Sequence, residues 1–420
     1  MKRRGMLLLF ALLAISSLLL AEETLIEKDG ANFLTLDLEM RARYELDAKD
    51  FNNDTGWSDL GTLRTMVGFR ITPAENVLIR TQFKESRIMG VEGNNKIPGA
   101  EVTFQESYLK LTELSGSSIA LQAGRFEMEA GRGRILGAGD WNTYGRRTYD
   151  GLQMELKAFS GIWEIAAVRL VDYDQAALIN TIYGTNYSTD RADRNLFAIR
   201  GSLLQGKLQP ILTADIDNSS PESTQYNTVG FHANQTWSNT KVYLDAAWQF
   251  GNCNGRDLSS WLFAAEVSHK LNQKGKPSIG AGLDMTSGNA YDEDGATDED
   301  HVFYAPYMRR HRFRGYMDFF RDVRRGMVDG FLRLGFNPGK ARLQLDIHNF
   351  SYLQNDALNP GAASPEEFTQ LGQEFDLRFQ WPLAKQVKLD AAYCLFLASD
   401  SWVPDGNPGH FIYIAAIATL

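Results

Sequence analysis

The stretch LTLDLEMRARYEL, Leu34–Leu46, decides the fold. Leu34, Leu36, Leu38, Met40, Ala42, Tyr44 and Leu46 alternate with Thr35, Asp37, Glu39, Arg41, Arg43 and Glu45. Successive side chains of an extended strand point to opposite faces, so this segment presents one apolar face and one densely charged face. The pattern returns along the chain: around Arg64 and Arg70 in Leu63–Ile71, Asp245 and Gln249 in Val242–Phe250, Asp346 in Leu343–Ile347, and Asp376 and Arg378 in Phe375–Trp381. Segments of about ten residues, apolar on one side and polar on the other, are the signature of a transmembrane β-barrel. About eighteen can be marked, which predicts an all-β chain folded as an antiparallel barrel. A soluble sandwich would also show period 2, but it has no need to charge one face of nearly every strand.

The connections carry independent information. Asp47–Gly61 is followed by the shorter Thr72–Asn76, Met89–Glu101 by Thr112–Ser118, Phe126–Thr148 by Phe159–Gly161, and Val171–Arg194 by Gln205–Lys207. Asn272–Pro277, Asn337–Gly339 and Pro382–Lys385 are expected to lie between longer connections in the same way. Outer-membrane barrels of Gram-negative bacteria have short periplasmic turns and long external loops, so the alternation predicts an orientation with both termini in the periplasm. Lys2, Arg3 and Arg4 before the apolar run Met6–Leu20, with Ala21 next, read as a secretory signal peptide over residues 1–21, leaving 22–420 as the barrel.

Composition narrows the function. The 420 residues are 44% hydrophobic and 23% charged, with no further apolar run of helical spanning length, so a helical membrane protein is excluded. A net charge of −9 argues against nucleic acid as a partner. Cys253 and Cys394 are too few for a disulfide scaffold or a zinc site, although they could form one bridge.

The stretch Leu121–Leu156, LQAGRFEMEAGRGRILGAGDWNTYGRRTYDGLQMEL, holds Gly124-Arg125-Phe126-Glu127, Gly131, Arg134, Asp140-Trp141-Asn142 and Arg147-Thr148-Tyr149-Asp150-Gly151. It resembles the alginate export family of outer-membrane porins. His311-Arg312-Phe313-Arg314-Gly315-Tyr316-Met317-Asp318-Phe319-Phe320 is similar to a segment of distant family members, and Glu106-Ser107-Tyr108-Leu109 is a weaker third match. The resemblance implies an eighteen-stranded monomeric barrel, an arginine-rich lumen selective for anions, and passage of a polyuronate. Leu420 departs from the terminal Phe of many outer-membrane barrels.

Strand parity sends Arg41, Arg43, Arg64, Arg70, Arg80, Lys84, Arg200, Arg333, Arg342, Arg378 and Lys388 into the lumen. Asp37, Glu39, Glu45, Glu155, Asp245, Glu266, Asp284, Asp346, Asp376 and Asp390 join them. Arginine presents a planar fork suited to carboxylates, so such rows could hand an acidic glycan from one guanidinium to the next. The same residues could instead form a mixed ion-pair mesh that merely satisfies the inner wall. In the loop Phe126–Thr148, Arg132, Arg134, Arg146 and Arg147 stand with Trp141 and Tyr144, a mixture that could bind sugar rings or fold inward to narrow the pore. Arg309, Arg310, Arg312 and Arg314 make the approach to the mouth basic, and Met317, Phe319, Phe320 and Val323 could form a short helix there. Asp292, Glu293, Asp294, Asp298, Glu299 and Asp300 form an acidic cluster that could take calcium, at Asp292, Asp294 and Asp298 above all, but the spacing lacks the ligand order of a calcium loop and a solvated acidic loop is the alternative.

Six scattered histidines suggest no Ser-His-Asp arrangement, and no phosphate-binding loop, haem attachment site or metal-ligand spacing is visible, so neither catalysis nor a cofactor is expected. The expected function is a channel for anionic solutes, acidic oligo- or polysaccharide above all, in export or uptake. Its partners would be outer-membrane lipids, an anionic glycan and, for export, periplasmic secretion machinery. A general diffusion porin, a barrel-type hydrolase and a structural barrel are the alternatives.

Overall fold

Alternation becomes geometry in eighteen strands: β1 Ala31–Ala48, β2 Ser58–Ala74, β3 Val77–Ile88, β4 Thr103–Leu111, β5 Ile119–Phe126, β6 Tyr149–Ala158, β7 Gly161–Val171, β8 Arg194–Ser202, β9 Leu208–Asp217, β10 Thr224–Trp237, β11 Thr240–Cys253, β12 Arg256–Lys270, β13 Ser278–Thr286, β14 Met327–Phe336, β15 Arg342–Leu358, β16 Glu366–Pro382, β17 Val387–Ala398 and β18 Gly409–Thr419. The computed structural model describes residues 23–28, 31–90, 102–139, 141, 145–171, 193–218, 224–291, 298–320, 323–358 and 366–420. The signal segment and Asp140, Asn142, Tyr144, Asp292, Glu293 and Asp294 lie outside them.

Each strand pairs antiparallel with the next, and β1 closes the barrel on β18, with Met40 opposite Ala418 and Tyr44 opposite Ile414. Closure satisfies the backbone of both terminal strands, which a hydrocarbon surround requires. A leading strand, Glu23–Lys28, pairs with β1 just beyond the end of β18. There the Leu420 amide donates to the Leu38 carbonyl at 2.7 Å. The burial pattern inverts that of a soluble protein. Ile79, Leu109, Leu152, Phe197, Trp248, Trp261, Leu332 and Leu377 are exposed on the outside, while Arg41, Arg64, Arg80, Asp245, Asp284 and Asp376 are buried inside.

Long and short connections alternate with one exception. The connection before Asn272–Pro277 is not longer: β11 and β12 join through the tight turn Asn254–Gly255, both residues at positive φ, 52° and 80°. These strands run 14 and 15 residues, so the hairpin itself carries the chain outward where other strands use a loop.

Two of the long connections turn into the lumen. Met128, Ile135 and Leu136 of residues 127–148 pack with Phe303, Tyr307, Met308 and Phe313 of residues 287–326 against Leu196, Ile211 and Leu262 of the wall. The two segments are sewn together, Gly137 N donating to Tyr307 O at 3.0 Å and Arg309 N to Gly133 O at 2.8 Å. Tyr316, Met317, Phe320 and Val323 fill a second cluster with Phe350, Phe396, Phe411 and Tyr413. Among the described residues of the expected helix, 317–320 and Val323, none is helical. A helical turn forms earlier, at Arg310–Phe313, and beyond it Gly315 and Asp318 take positive φ, 73° and 59°, and redirect the chain so that apolar side chains drop into the wall. Cys253 and Cys394 do not pair; they are separate buried thiols on β11 and β17.

Candidate functional site

The inner faces of β1, β2 and β3 place like charges side by side. Arg41 stands opposite Arg64 and Arg70 opposite Arg80 in the ladder, pairings that a sheet disfavours unless counter-charges intervene. They do: Arg64 donates to Glu39, and Arg80 grips Asp37 with both terminal nitrogens, Nη2 at 3.1 Å, while its Nε donates to Glu106 at 3.1 Å. Gln82 adds a bond to Asp37 at 2.9 Å. Gly68 makes this crossing possible, since a Cβ there would lie 2.6 Å from Arg80 Nη1. Arg43 is clamped differently. Its Nε pairs with Glu45 at 2.6 Å, its Nη1 donates to the Trp141 carbonyl at 3.0 Å, and its guanidinium lies 3.9 Å from the Trp141 ring and 4.6 Å from the Tyr413 ring. Lys84 is partly buried beneath Gly145, and Arg70 and Arg342 are exposed at the short-turn end.

Across the lumen the wall is rich in carboxylates, and the inward loops answer them with arginine. Arg134, 3% exposed, donates to Asp245 at 3.3 Å and to Asp284, and stacks 3.8 Å over Phe313. Asp245 also binds His232 at 2.8 Å. Arg132 reaches Glu266 at 2.7 Å, and Arg333 holds the other oxygen of Glu266 at 3.1 Å together with both oxygens of Asp346 at 2.9 and 3.0 Å. Arg378 forks onto Asp390, with Nε at 2.8 Å. Arg200 meets Glu164 at 3.0 Å and the Glu129 carbonyl at 2.6 Å. Burial drives the Arg134 guanidinium down to about 10 although Asp245 pulls the other way. Burial also raises the Glu127 carboxyl, against the pull of Arg146.

The site residues expected from sequence therefore separate into three groups. Arg41, Arg43, Arg64, Arg70, Arg80 and Lys84 share one wall, Arg146 reaching toward it with bonds to Glu127 at 3.3 Å and Glu39 at 3.5 Å. Arg200, Arg333, Arg342 and Arg378 lie on the other strands. Arg132 and Arg134 do not lie at the mouth; their guanidiniums insert into the carboxylate wall because burial demands a counter-charge there. Arg147 sits 5.5 Å from the Tyr307 ring, Arg312 is exposed, and Arg314 is buried with Nη1 donating to Phe320 O at 3.4 Å. Of the acidic loop Asp298, Glu299 and Asp300 are described: the Asp298 carbonyl accepts from Asp257 N at 2.7 Å, Asp300 is buried and accepts from Asn289 Nδ2 at 3.2 Å and Tyr304 OH at 2.8 Å, and no metal-holding cluster occurs among the described residues.

Sequence reasoning missed the clasp formed by Glu374. Its Oε1 accepts from the amides of Tyr316 and Met317 at 2.6 and 2.9 Å, with Asp376 accepting from Tyr316 N at 3.2 Å. Gly315 in a motif dense in arginine was the available signal, since a Cβ there would meet the Glu374 carboxyl at 2.5 Å. His311 was also missed. It pairs with Asp318 at 2.8 Å and stacks 4.0 Å from Trp141, and burial holds it down at about 4. His232 and His348, each bonded to an aspartate, pack against Tyr243 and Phe350, an arrangement of wall residues rather than of a nucleophile and its base.

The family model described as alginate export matches residues 33–403. Among solved structures, OpdO of Pseudomonas aeruginosa is similar with a TM-score of 0.60 and 12% identity over 92% of this chain and 97% of that one. OprD of the same organism gives 0.59 and 10% over 96% and 97%, and OpdK with vanillate 0.59 and 12% over 92% and 98%. These likenesses are of fold. No curated protein sequence matches the chain.

Proposed function

We propose that this chain, which belongs to the alginate export family and is an outer-membrane channel, passes anionic solutes along the β1–β3 wall, with acidic oligo- or polysaccharide as its cargo. The observation that carries the reading is the division of charge inside the barrel. The loop arginines Arg132 and Arg134 are spent on the carboxylates Asp245, Glu266 and Asp284, so the acidic wall is neutralised from within. The basic pairs Arg41–Arg64 and Arg70–Arg80 stay on the opposite side, where Glu39 holds Arg64 and Asp37 and Glu106 hold Arg80. Local field rather than net charge governs entry into a narrow pore, and an arginine fork already holding a carboxylate can exchange it for one on a passing solute. The similar barrel OpdK, solved with vanillate, offers a precedent for a carboxylate ligand.

The channel works without a cofactor and performs no catalysis. Its long connections face outward and its termini the periplasm, after removal of residues 1–21. Export of a polymer would draw on periplasmic secretion machinery, and uptake of oligosaccharides would follow a gradient. The pairing of Arg64, Arg80, Arg333 and Arg378 with carboxylates favours a general diffusion porin as the second reading. Current block by uronate oligomers separates the two. Block in the unmodified protein that disappears in an Arg64→Glu plus Arg80→Glu variant supports the acidic-glycan channel, and equal passage of neutral and acidic sugars supports the porin.

A further inference from the structure

Two pieces of the sequence motif, Gly124-Arg125-Phe126 and Tyr149-Asp150-Gly151, contribute nothing to the lumen through their charged residues. Phe126 and Tyr149, opposite each other, are buried inside, so Arg125 and Asp150, also opposite each other, face out of the barrel. The ladder carries this outward row across four strands, Arg125 to Asp150 to Arg169 to Asn195. Arg125 forks onto Asp150 at 2.8 and 2.6 Å and reaches the Phe104 carbonyl at 3.2 Å, while Arg169 binds Asn195 at 3.0 Å and Asp193 at 2.5 Å. The outward row one rung below is Ala123, Leu152, Ala167 and Phe197, with Leu152 63% exposed. One rung is about 7 Å, so the charged row sits at the edge of the apolar band.

This edge is not charged in the same way all round. On β15 and β16 the outward residues Asn349, Ser351, Gln370 and Gln373 are uncharged and bond to one another. The side chains of Arg125, Asp150 and Arg169 remain 39%, 54% and 43% exposed, and ion pairs so open contribute little stability on their own. With the long connections outward, this edge of the apolar band meets the headgroups. We propose that the β5–β8 rim is a docking site for the phosphorylated headgroup of an outer-leaflet glycolipid. The guanidiniums of Arg125 and Arg169 take the place of divalent cations against its phosphates, and Asp150 takes the place of a neighbouring phosphate toward a bridging cation. Guanidinium forks match phosphate oxygens bidentately, so each arginine can exchange its aspartate for a headgroup phosphate. The proposal rests on the orientation given above, with the long connections outward.

The test uses the full-length protein extracted from outer membranes in mild detergent, with bound glycolipid counted by native mass spectrometry. An Arg125→Ala plus Arg169→Ala variant should lose more than half of the glycolipid that the unmodified protein retains. Lys274→Ala plus Lys276→Ala, which removes the same charge from an exposed turn at the opposite end, should retain it. With refolded protein, vesicles of purified bisphosphorylated glycolipid should raise the unfolding temperature of the unmodified protein but not of the double variant. Phosphatidylglycerol vesicles and inorganic phosphate should do so for neither. If the double variant fails to assemble, Arg125→Lys, which keeps charge but loses the fork, should show reduced retention. Equal retention in all variants overturns the proposal, as does equal stabilisation by phosphatidylglycerol, or a dimer that the Arg substitutions convert to monomer. A tag at Asp54 that is shielded on intact cells would instead refute the orientation.

Discussion

Replacing Arg134 by Met should release the inward loop without unfolding the barrel. The side chain is 3% exposed and counter-charges Asp245 and Asp284 from the tip of the 127–148 segment. Methionine fills similar volume over Phe313 but leaves two carboxylates without the guanidinium that pairs them, since Arg132 is held by Glu266. Asp245 keeps its bond to His232, whereas Asp284 has an oxygen without a partner even in the intact protein. Breaking a buried ion pair from one side costs about 3–5 kcal/mol. Here water can reach the carboxylates if the loop withdraws, so the cost falls on the inserted state of the loop and not on the strands. A cost of about 3 kcal/mol shifts that equilibrium roughly a hundredfold toward withdrawal. Planar-bilayer recordings should show higher mean conductance and frequent transitions, while heat-modifiable migration on gels stays normal. Arg134→Lys should fall between, because a point charge cannot fork onto two carboxylates. Adding Asp245→Asn and Asp284→Asn to Arg134→Met should restore quiet recordings, since the triad is then neutral. Unchanged conductance and noise in a folded Arg134→Met protein would refute the assignment of Arg134 as the loop's anchor.

Acid should loosen the second inward segment through His311. Its folded value of about 4 lies below the ordinary 6.5, so the unfolded segment binds the proton first. The stability is complete above pH 6.5 and is lost as pH falls toward 4, about 3 kcal/mol in all. Openings in bilayer recordings should increase over that range, and His311→Gln should flatten the dependence; an identical profile in the variant would exclude His311 as the cause. Gly68→Ala should force Asp37 and Arg80 apart, destabilising the barrel by about 1–3 kcal/mol in denaturant unfolding. Unaltered stability there would mean that the Asp37–Arg80 crossing is not held across Gly68.

Much of the wall was readable because strand parity is strict. Once Leu34–Leu46 is a strand with its apolar face in lipid, Arg41 and Arg43 have no choice but to face the lumen, and the same logic places Asp245, Asp346 and Arg378. The interior was less readable. Ile135 and Leu136, or Phe303, Tyr307 and Met308, show no period because they follow no repeating backbone; they are buried by tertiary contact between two connections far apart in sequence. Arg134 looked like a mouth residue for the same reason, since the partners that bury it, Asp245 and Asp284, are on β11 and β13. Arg125 and Asp150 belong to the motif that carried the resemblance, yet only the ladder shows that both point away from the pore. The turn Asn254–Gly255 broke the loop rule because β11 and β12 extend as a hairpin, a length that composition does not announce.

Arg41, Arg64, Arg70, Arg80 and Lys84 should set the field that a solute meets in the lumen. Single-channel reversal potential in a salt gradient, repeated with uronate oligomers on one side, measures it most directly. Preference for anions, with block by the oligomers, is the expected result. Preference for cations in the unmodified protein would contradict it.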